Sequence, residues 1–172
     1  LSYKTSHSGS GFMNEMSYKK VMQWAEAVPV RKKLLCLLNT LLPVIIGGMY
    51  AFCMVVCFFL YPVLLVSLVL RPLLCFFTVT LLRYLLKFPR PYDVYDFVPL
   101  CGYHPGKGRS FPSRHTASAA IIAFEIFRIA SGFGSLALIL AVMMGMLRVL
   151  CGNHFIKDVL AAFVLAFFFY II

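Results

Sequence analysis

The sequence predicts an all-α fold, a polytopic membrane helical bundle of six or five transmembrane helices with an N-terminal amphipathic interfacial segment. Hydrophobic residues make up 62% of the chain and charged residues 13%, whereas a soluble domain is about 45–50% apolar and about 25% charged. The mean hydropathy is +0.89. A chain of 172 residues accommodates five or six spans of about 20 residues each and leaves no room for a separate soluble domain.

The N-terminal part is predicted to lie outside the membrane core. Residues 1–12 are rich in Ser and Gly and are expected to be a tag or a disordered tail, with residues 13–172 forming a single integral-membrane domain. Residues 17–33 are amphipathic, and Trp24 beside basic residues is typical of a helix at the membrane interface. Pro29 and a basic cluster are predicted to close this segment, which would serve as a juxtamembrane anchor.

An uncharged stretch of 37 residues, 34–70, follows. It is too long for one ordinary span and short for two. We favour a tight turn at Gly47 and Gly48 between two spans; the alternative is a single long tilted helix beginning at Pro43. Arg71 and Pro72 are expected to end this stretch, and residues 73–88 to form the next span.

The second half of the chain alternates polar and apolar segments. A polar loop is predicted over residues 89–112, followed by helices over 113–130, 132–151 and 154–172. Because successive spans alternate in direction, the end of the helix over 73–88 and the start of the helix at 113 lie at one membrane face. The end of the helix at 151 and the start of the helix at 154 lie there too. Polar groups that are dispersed along the chain should therefore converge at that face.

The excess of basic residues indicates the kind of partner. Sixteen Lys and Arg against six acidic residues give a net charge of +10. The basic residues lie in loops and at helix ends, which favours the anionic lipid bilayer over nucleic acid as a partner. Four of the six cysteines lie inside apolar runs and are predicted to be small packing residues. Cys101 and Cys151 could form a disulfide, but two unpaired thiols are the favoured interpretation.

The densest chemistry lies at Phe111-Pro112-Ser113-Arg114-His115, before an apolar helical run. Ser113 is predicted to be the N-cap of that helix. Arg114 and His115 would then lie in the first turn, where free backbone N–H groups attract anions. Taken alone, the pattern fits a capped helix with solvated side chains as well as it fits an anion site.

A second group decides between these interpretations. Arg148 ends an apolar run, and His154 and Asp158 follow at i and i+4, on one helix face. A carboxylate that accepts from one imidazole nitrogen leaves the other as a nucleophile or base. A structural histidine beside a helix-start aspartate is the alternative, but ionisable groups inside membrane segments are usually functional. The density of cations favours an anion over a metal, with Arg83, Arg90, Arg114 and Arg148 able to bind phosphate oxygens through paired N–H groups.

These residues resemble the three signature motifs of the type 2 phosphatidic acid phosphatase superfamily, Lys-x6-Arg-Pro, Pro-Ser-Gly-His and Ser-Arg-x5-His-x3-Asp. The corresponding stretches here are Arg83-x6-Arg90-Pro91, Pro112-Ser113-Arg114-His115 and Arg148-x5-His154-x3-Asp158. Three positions depart from the pattern: Arg83 replaces Lys, Arg114 replaces Gly, and Leu147 replaces Ser. Lys87, one turn after Arg83, competes for the role of the family lysine.

The resemblance implies a metal-independent lipid phosphatase without a cofactor. It implies that His154 attacks phosphorus to form a phosphohistidine, that Asp158 orients His154, and that His115 protonates the leaving oxygen and then activates water. The expected phosphate-binding residues are Arg83, Arg90, Ser113, Arg114, Arg148 and, as the competing candidate, Lys87. The expected substrates are membrane lipid phosphates or pyrophosphates of the undecaprenyl pyrophosphate, phosphatidylglycerophosphate or phosphatidate class. The alternatives are a non-catalytic lipid-phosphate binding or transport protein and a vanadate-dependent haloperoxidase, which would be soluble.

The expected location is a bacterial inner membrane. With an even number of spans, the basic N-terminal segment, Arg71 and Arg128 would share one side of the membrane. The positive-inside rule makes that side cytoplasmic. The site would then face outward.

Overall fold

The computed structural model describes residues 13–103, 105 and 108–172; the tail expected over residues 1–12 lies outside these. The described residues form helices and no strand, which confirms the all-α prediction. In chain order the helices are α1 (Glu15–Glu26), α2 (Pro29–Leu60), α3 (Pro62–Leu86), α4 (Pro91–Val94), α5 (Arg114–Ile129), α6 (Ser131–Leu150) and α7 (Ile156–Ile171).

Three helices in the described part of the chain are long and apolar enough to cross a membrane, and they include α2, α3 and α6. Helices α5 and α7 have 16 residues each. Helix α5 lies at the centre of the bundle and packs against α2, α3, α6 and α7. The protein is therefore a helical membrane protein, and among the described residues five long helices form the bundle where six spans were the first expectation.

The bundle has one long helix fewer than first expected because the apolar stretch 34–70 breaks at a different place from the one predicted. The turn expected at Gly47 and Gly48 is wrong, because both glycines lie inside the continuous helix α2. The break falls at Tyr61 and Pro62, since proline favours the first position of a helix and disfavours helical backbone in the residue before it. The break expected at Arg71 and Pro72 is also wrong, because α3 runs through both residues.

A contact between α2 and α3 explains how α3 tolerates Pro72. Pro72 has no N–H, so the carbonyl of Leu68, four residues earlier, loses its usual helical partner. The Tyr50 hydroxyl of α2 donates a hydrogen bond of 2.7 Å to that carbonyl. The long-range bond satisfies the carbonyl and holds α3 against α2.

Small residues allow the central helices to approach closely, as is usual between membrane helices. A Cβ added to Gly134 of α6 would lie 2.1 Å from the Cα of Phe127 in α5. A Cβ added to Gly145 of α6 would lie 2.7 Å from a methyl group of Val159 in α7. Close packing therefore joins α5 to α6 near the turn between them, away from the candidate site, and joins α6 to α7 near the end that carries the site.

Helix α1 differs from the expected interfacial anchor. It begins after Asn14, whose side chain accepts from the N–H of Ser17 at 2.9 Å, and Pro29 begins α2. Tyr18 and Ala25 are fully buried, and the buried face of α1 packs against the loops around Leu100 and Cys151. Trp24 is 52% exposed, so only the other face of α1 matches the interfacial pattern.

The contacts of α1 contradict the assumption from which the outward orientation of the site was predicted. The outward-facing prediction assumed that the basic N-terminal segment and the candidate site lie at opposite faces of the membrane. The Tyr18 hydroxyl, however, donates to the backbone carbonyl of His154 at 3.1 Å, and Cys36 near the start of α2 contacts the carbonyl of Leu100 at 3.5 Å. The basic segment and the candidate site therefore lie at the same face.

Candidate active site

His154 and Asp158 meet where α6 passes into α7. Asp158 is the third residue of α7, and its Oδ2 accepts from the backbone N–H of Phe155 at 3.0 Å. The same oxygen lies 3.3 Å from His154 Nδ1. His154 precedes α7, so the expected shared helix face is wrong, but the loop brings the two side chains together. With Nδ1 directed to the carboxylate, Nε2 is the nitrogen available to a substrate.

The loop that carries His154 is held by its own backbone. The carbonyl of Arg148 accepts from the N–H groups of Asn153 and His154 at 3.0 and 3.2 Å. Gly152 has φ of +76, and a Cβ at this position would lie 2.6 Å from the ring of Phe97. Glycine is therefore required for the turn that places His154 above the end of α6.

Burial controls the protonation of His154. The side chain is enclosed, and the loss of solvent lowers the pKa of His154 to about 4, although the hydrogen bond and charge of Asp158 raise it. Arg90 and Arg83 lower the pKa of His154 further by charge repulsion. At neutral pH His154 is therefore uncharged, which is the form that can act as a nucleophile.

A cavity of about 260 Å³ opens above His154, and we call it the anion cavity. It is lined by Arg83, Arg90, Gly102, Arg114, His115, Arg148, Asn153 and His154. Six of the nine residues singled out in the sequence line it, and Asp158 lies behind His154. The convergence expected from the alternation of spans is therefore present in the structure.

Besides Asp158, two of the nine residues, Ser113 and Lys87, do not line the anion cavity. Ser113 occupies the N-cap position of α5, as predicted, but its buried hydroxyl makes no capping bond. That hydroxyl shares a hydrogen bond of 2.9 Å with the hydroxyl of Thr116. Lys87 ends α3, and its Nζ lies 5.9 Å from the centre of the Tyr84 ring. Of the two cations proposed for the family lysine position, only Arg83 lines the cavity.

The arginines of the anion cavity are positioned by the loop around them. Arg83 donates to the carbonyls of Ser110 and Pro112 at 3.0 and 2.9 Å. Arg90 donates to the Tyr92 hydroxyl at 3.0 Å. The Nε atoms of Arg90 and Arg148 are buried and have no hydrogen-bond partner among the described residues. Buried donors are normally paired, so these atoms are suited to oxygens of a bound anion.

Ser110 and Asn153 also belong to the site, although the sequence pattern did not predict them. The buried Ser110 hydroxyl donates to Asp158 Oδ2 at 2.5 Å and lies 3.3 Å from His154 Nδ1. Asn153 lines the anion cavity, is 2% exposed, and has no partner for either side-chain polar atom among the described residues. Ser110 gave no local signal because it lies 48 residues from Asp158. For Asn153, the only indication in the sequence of a place at the site is that it directly precedes His154.

A second cavity, of about 320 Å³, adjoins the first, and we call it the apolar cavity. It is bounded by Pro43, Ile46, Gly47, Phe76, Arg114, His115, Ser118, Ala119, Ile122 and Met144. Arg114 and His115 line both cavities. A molecule with a phosphate at one end and an apolar chain at the other could therefore contact both cavities past His115.

A group of thiols lies next to the site. All six cysteines are unpaired, so Cys101 and Cys151 agree with the favoured interpretation of two free thiols. A hydrogen bond from the Cys151 thiol, and a second one from Cys36, lower the pKa of Cys101 to about 6 despite its burial. Among the described residues, no group of three or more His, Cys, Asp or Glu side chains could hold a metal ion.

Comparisons with known proteins agree with this geometry. A comparison with solved structures finds LpxE from Aquifex aeolicus, with a TM-score of 0.59 and 24% identity over 81% of this chain and 91% of that chain. It also finds a transmembrane PAP2-type phosphatidylglycerolphosphate phosphatase from Bacillus subtilis, with a TM-score of 0.56 and 27% identity over 93% of this chain and 85% of that chain. A search of curated protein sequences gave no significant match. The PAP2 superfamily model matches residues 60–172, which is well over half of the chain and includes all three motifs, so the chain belongs to the PAP2 superfamily.

Proposed function

We propose that this protein is a metal-independent phosphatase that hydrolyses a membrane lipid phosphate or pyrophosphate through a phosphohistidine on His154. The observation that carries the proposal is the position of His154, whose Nδ1 faces Asp158 at 3.3 Å while the residue lines a cavity with four arginines. Membership of the PAP2 superfamily supports a lipid phosphatase. The Bacillus subtilis relative is a phosphatidylglycerolphosphate phosphatase by its name.

In the first step, Nε2 of His154 attacks phosphorus and the bond from phosphorus to the leaving oxygen breaks. His115 donates a proton to that oxygen, so that the lipid alcohol or lipid phosphate leaves. Asp158 and Ser110 hold the imidazole and stabilise the positive charge that develops on it. Arg83, Arg90 and Arg148, with Asn153, donate hydrogen bonds to the phosphoryl oxygens as negative charge spreads over them.

In the second step, water attacks the phosphohistidine. His115, now neutral, accepts a proton from the water, and the bond from phosphorus to Nε2 breaks to release inorganic phosphate. Ser113 is a proposed phosphate ligand only through its position at the start of α5, since its hydroxyl is bonded to Thr116. Lys87 is outside this mechanism because it does not line the anion cavity.

The substrate candidates are undecaprenyl pyrophosphate, phosphatidylglycerophosphate and phosphatidate, and the proposed location is a bacterial inner membrane. Two features support a lipid substrate. The apolar cavity adjoins the phosphate site, and many side chains on α2 and α3 that face away from the bundle are apolar and exposed. Both structural relatives come from bacteria.

The test is phosphate release by the purified protein from each lipid in detergent micelles, with a chelator present. Wild type should turn over at least one lipid, and His154→Ala should lose nearly all activity. Trapping with ³²P-labelled substrate should give an alkali-stable, acid-labile phosphoprotein in wild type, as phosphohistidine requires. Undiminished turnover in His154→Ala would exclude His154 as the nucleophile.

The two alternative functions would give other results with the purified protein. A lipid-phosphate binding or transport protein would retain the lipid without releasing phosphate. A vanadate-dependent haloperoxidase would oxidise halide with peroxide after vanadate is added. Either result in place of phosphate release would contradict the proposed phosphatase.

A further inference from the structure

Arg114 stands at the boundary between the two cavities. It is the first residue of α5 and, with His115, lines both the anion cavity and the apolar cavity. The family motif has glycine at this position, so the guanidinium of Arg114 departs from that motif. The general phosphatase mechanism leaves Arg114 without an assigned role.

The Arg114 side chain is available to a ligand. It is exposed, and its guanidinium lies 5.6 Å from the centre of the Phe76 ring. It makes no ion pair or hydrogen bond with another described residue, whereas Arg83 and Arg90 donate to protein oxygens. Stacking on an aromatic ring orients a guanidinium while leaving its N–H groups free to bind an anion.

The location of Arg114 identifies the part of the substrate that it meets. On the proposed function, on which this inference rests, His115 contacts the leaving oxygen. The group attached to that oxygen then lies beside His115, on the path from the anion cavity to the apolar cavity. In a lipid monophosphate this group is a carbon atom, and in a lipid diphosphate it is a second phosphate.

The balance of charges favours the second case. Arg83, Arg90 and Arg148 already line the cavity next to His154, where the phosphoryl group would bind, and the carboxylate of Asp158 lies behind His154. Arg114 adds a fourth cation on the side of the leaving group. A diphosphate carries the additional negative charge that this cation would match, and a guanidinium binds phosphate through paired N–H groups.

We propose that Arg114 forms a second phosphate subsite and makes this enzyme selective for lipid diphosphates. Nε2 of His154 attacks the terminal phosphorus, and the bond from that phosphorus to the bridging oxygen breaks. The lipid monophosphate leaves with its new charge held by Arg114 and takes a proton from His115. Water then hydrolyses the phosphohistidine, so that one lipid diphosphate and one water give one lipid monophosphate and one inorganic phosphate.

The test compares farnesyl diphosphate with farnesyl monophosphate in detergent micelles, for wild type, Arg114→Gln and Arg114→Lys. In Arg114→Gln we expect kcat/KM for the diphosphate to fall about tenfold or more, as the loss of a charge-assisted bond predicts. We expect kcat/KM for the monophosphate to change by less than about threefold. Arg114→Lys should recover part of the selectivity.

Arg109→Gln is the matched control, because it removes the same charge near the same face. Arg109 is exposed, lies 5.3 Å from the centre of the Tyr84 ring, and lines neither cavity. This variant should keep the wild-type ratio of the two activities. An equal loss on both substrates in Arg114→Gln, or no loss on either, would overturn the proposed subsite.

A binding measurement separates failure of the subsite from failure of the phosphatase function. Calorimetric titration with inorganic pyrophosphate and with inorganic phosphate requires no turnover. Wild type should bind pyrophosphate about tenfold more tightly than phosphate, and Arg114→Gln should lose this preference. Wild type that binds pyrophosphate no better than phosphate overturns the inference whether or not the protein is active, and inactivity alone contradicts only the proposed function.

Discussion

At the scale of single residues, Asp158 organises the site through one oxygen atom. Its Oδ2 accepts from the backbone of Phe155, from the Ser110 hydroxyl and from His154 Nδ1, while its Oδ1 is buried without a partner in the described residues. The three donors come from the loop before α5 and from the loop between α6 and α7. The carboxylate therefore sets the orientation of the imidazole and also ties two loops of the site together.

We predict that His154 titrates well below the ordinary range of histidine. Burial lowers its pKa to about 4 from 6.5, and Asp158 opposes this change. The pKa of His154 should therefore fall further in Asp158→Asn, where the charge that favours the imidazolium is lost. Titration of ¹⁵N-labelled histidine by NMR in detergent micelles, assigned with a His154→Asn sample, measures both values.

The lowered pKa of His154 also makes the stability of the folded protein depend on pH. The folded-state pKa lies below the unfolded value of 6.5, so neutral His154 favours folding above pH 6.5, and this contribution is lost as the pH falls from 6.5 through 4. A pKa near 6.5 in wild type, or a rise in Asp158→Asn, would contradict the arrangement of His154 and Asp158 described above.

At the scale of elements, α1 is part of the site and not only an anchor. The ring of Tyr18 stacks on Phe97 with 5.3 Å between ring centres and meets Phe155 edge to face at 6.2 Å. Its hydroxyl donates to the carbonyl of His154 at 3.1 Å. Helix α1 thus supports the loop that carries the proposed nucleophile.

We predict that Tyr18→Phe destabilises the protein and slows turnover. The change keeps the ring but leaves the buried carbonyl of His154 without this partner, which costs about 1–3 kcal/mol. The free energy of unfolding in an SDS titration should fall by an amount in that range, and kcat should fall more than KM changes, because the loop positions His154 and not the lipid.

Tyr61→Phe is the control for this change. Tyr61 is 52% exposed and lies between α2 and α3, so removal of its hydroxyl should alter neither stability nor kcat. Equal effects of the two substitutions would mean that the bond from Tyr18 to His154 contributes nothing specific to the site.

At the scale of the whole molecule, the five long helices place both the site and the basic N-terminal segment at one face of the bundle. The charge pattern that led to an outward-facing site assumed opposite faces, so labelling must decide the orientation. In a cysteine-free background, an outward site predicts that Val98→Cys, 65% exposed, reacts with a membrane-impermeant maleimide in intact cells. Tyr61→Cys, at the other end of α2, should react only after the membrane is permeabilised; the reverse pattern would place the site in the cytoplasm.

The sequence alone was sufficient for the features that depend on local pattern and on alternation. Long apolar runs predicted a helical membrane protein, and the helices expected after residue 112 begin and end within about two residues of α5, α6 and α7. The convergence of Arg83, His115, Arg148 and His154 followed from counting reversals of direction, because each apolar helix that crosses the bundle returns the chain to the opposite face.

The tertiary structure alone decided the features that depend on contacts between distant residues. The bonds of Ser110 with Asp158 and of Tyr18 with His154 join residues 48 and 136 positions apart, and no local spacing encodes such pairs. The turn at Pro62 could not be distinguished from Pro43 and Pro72 in the sequence, because packing of α3 along α2 determines which proline begins a helix. The place of Arg114 between two cavities likewise appears only when α2, α3, α5 and α6 are packed together, since the walls of both cavities come from different helices.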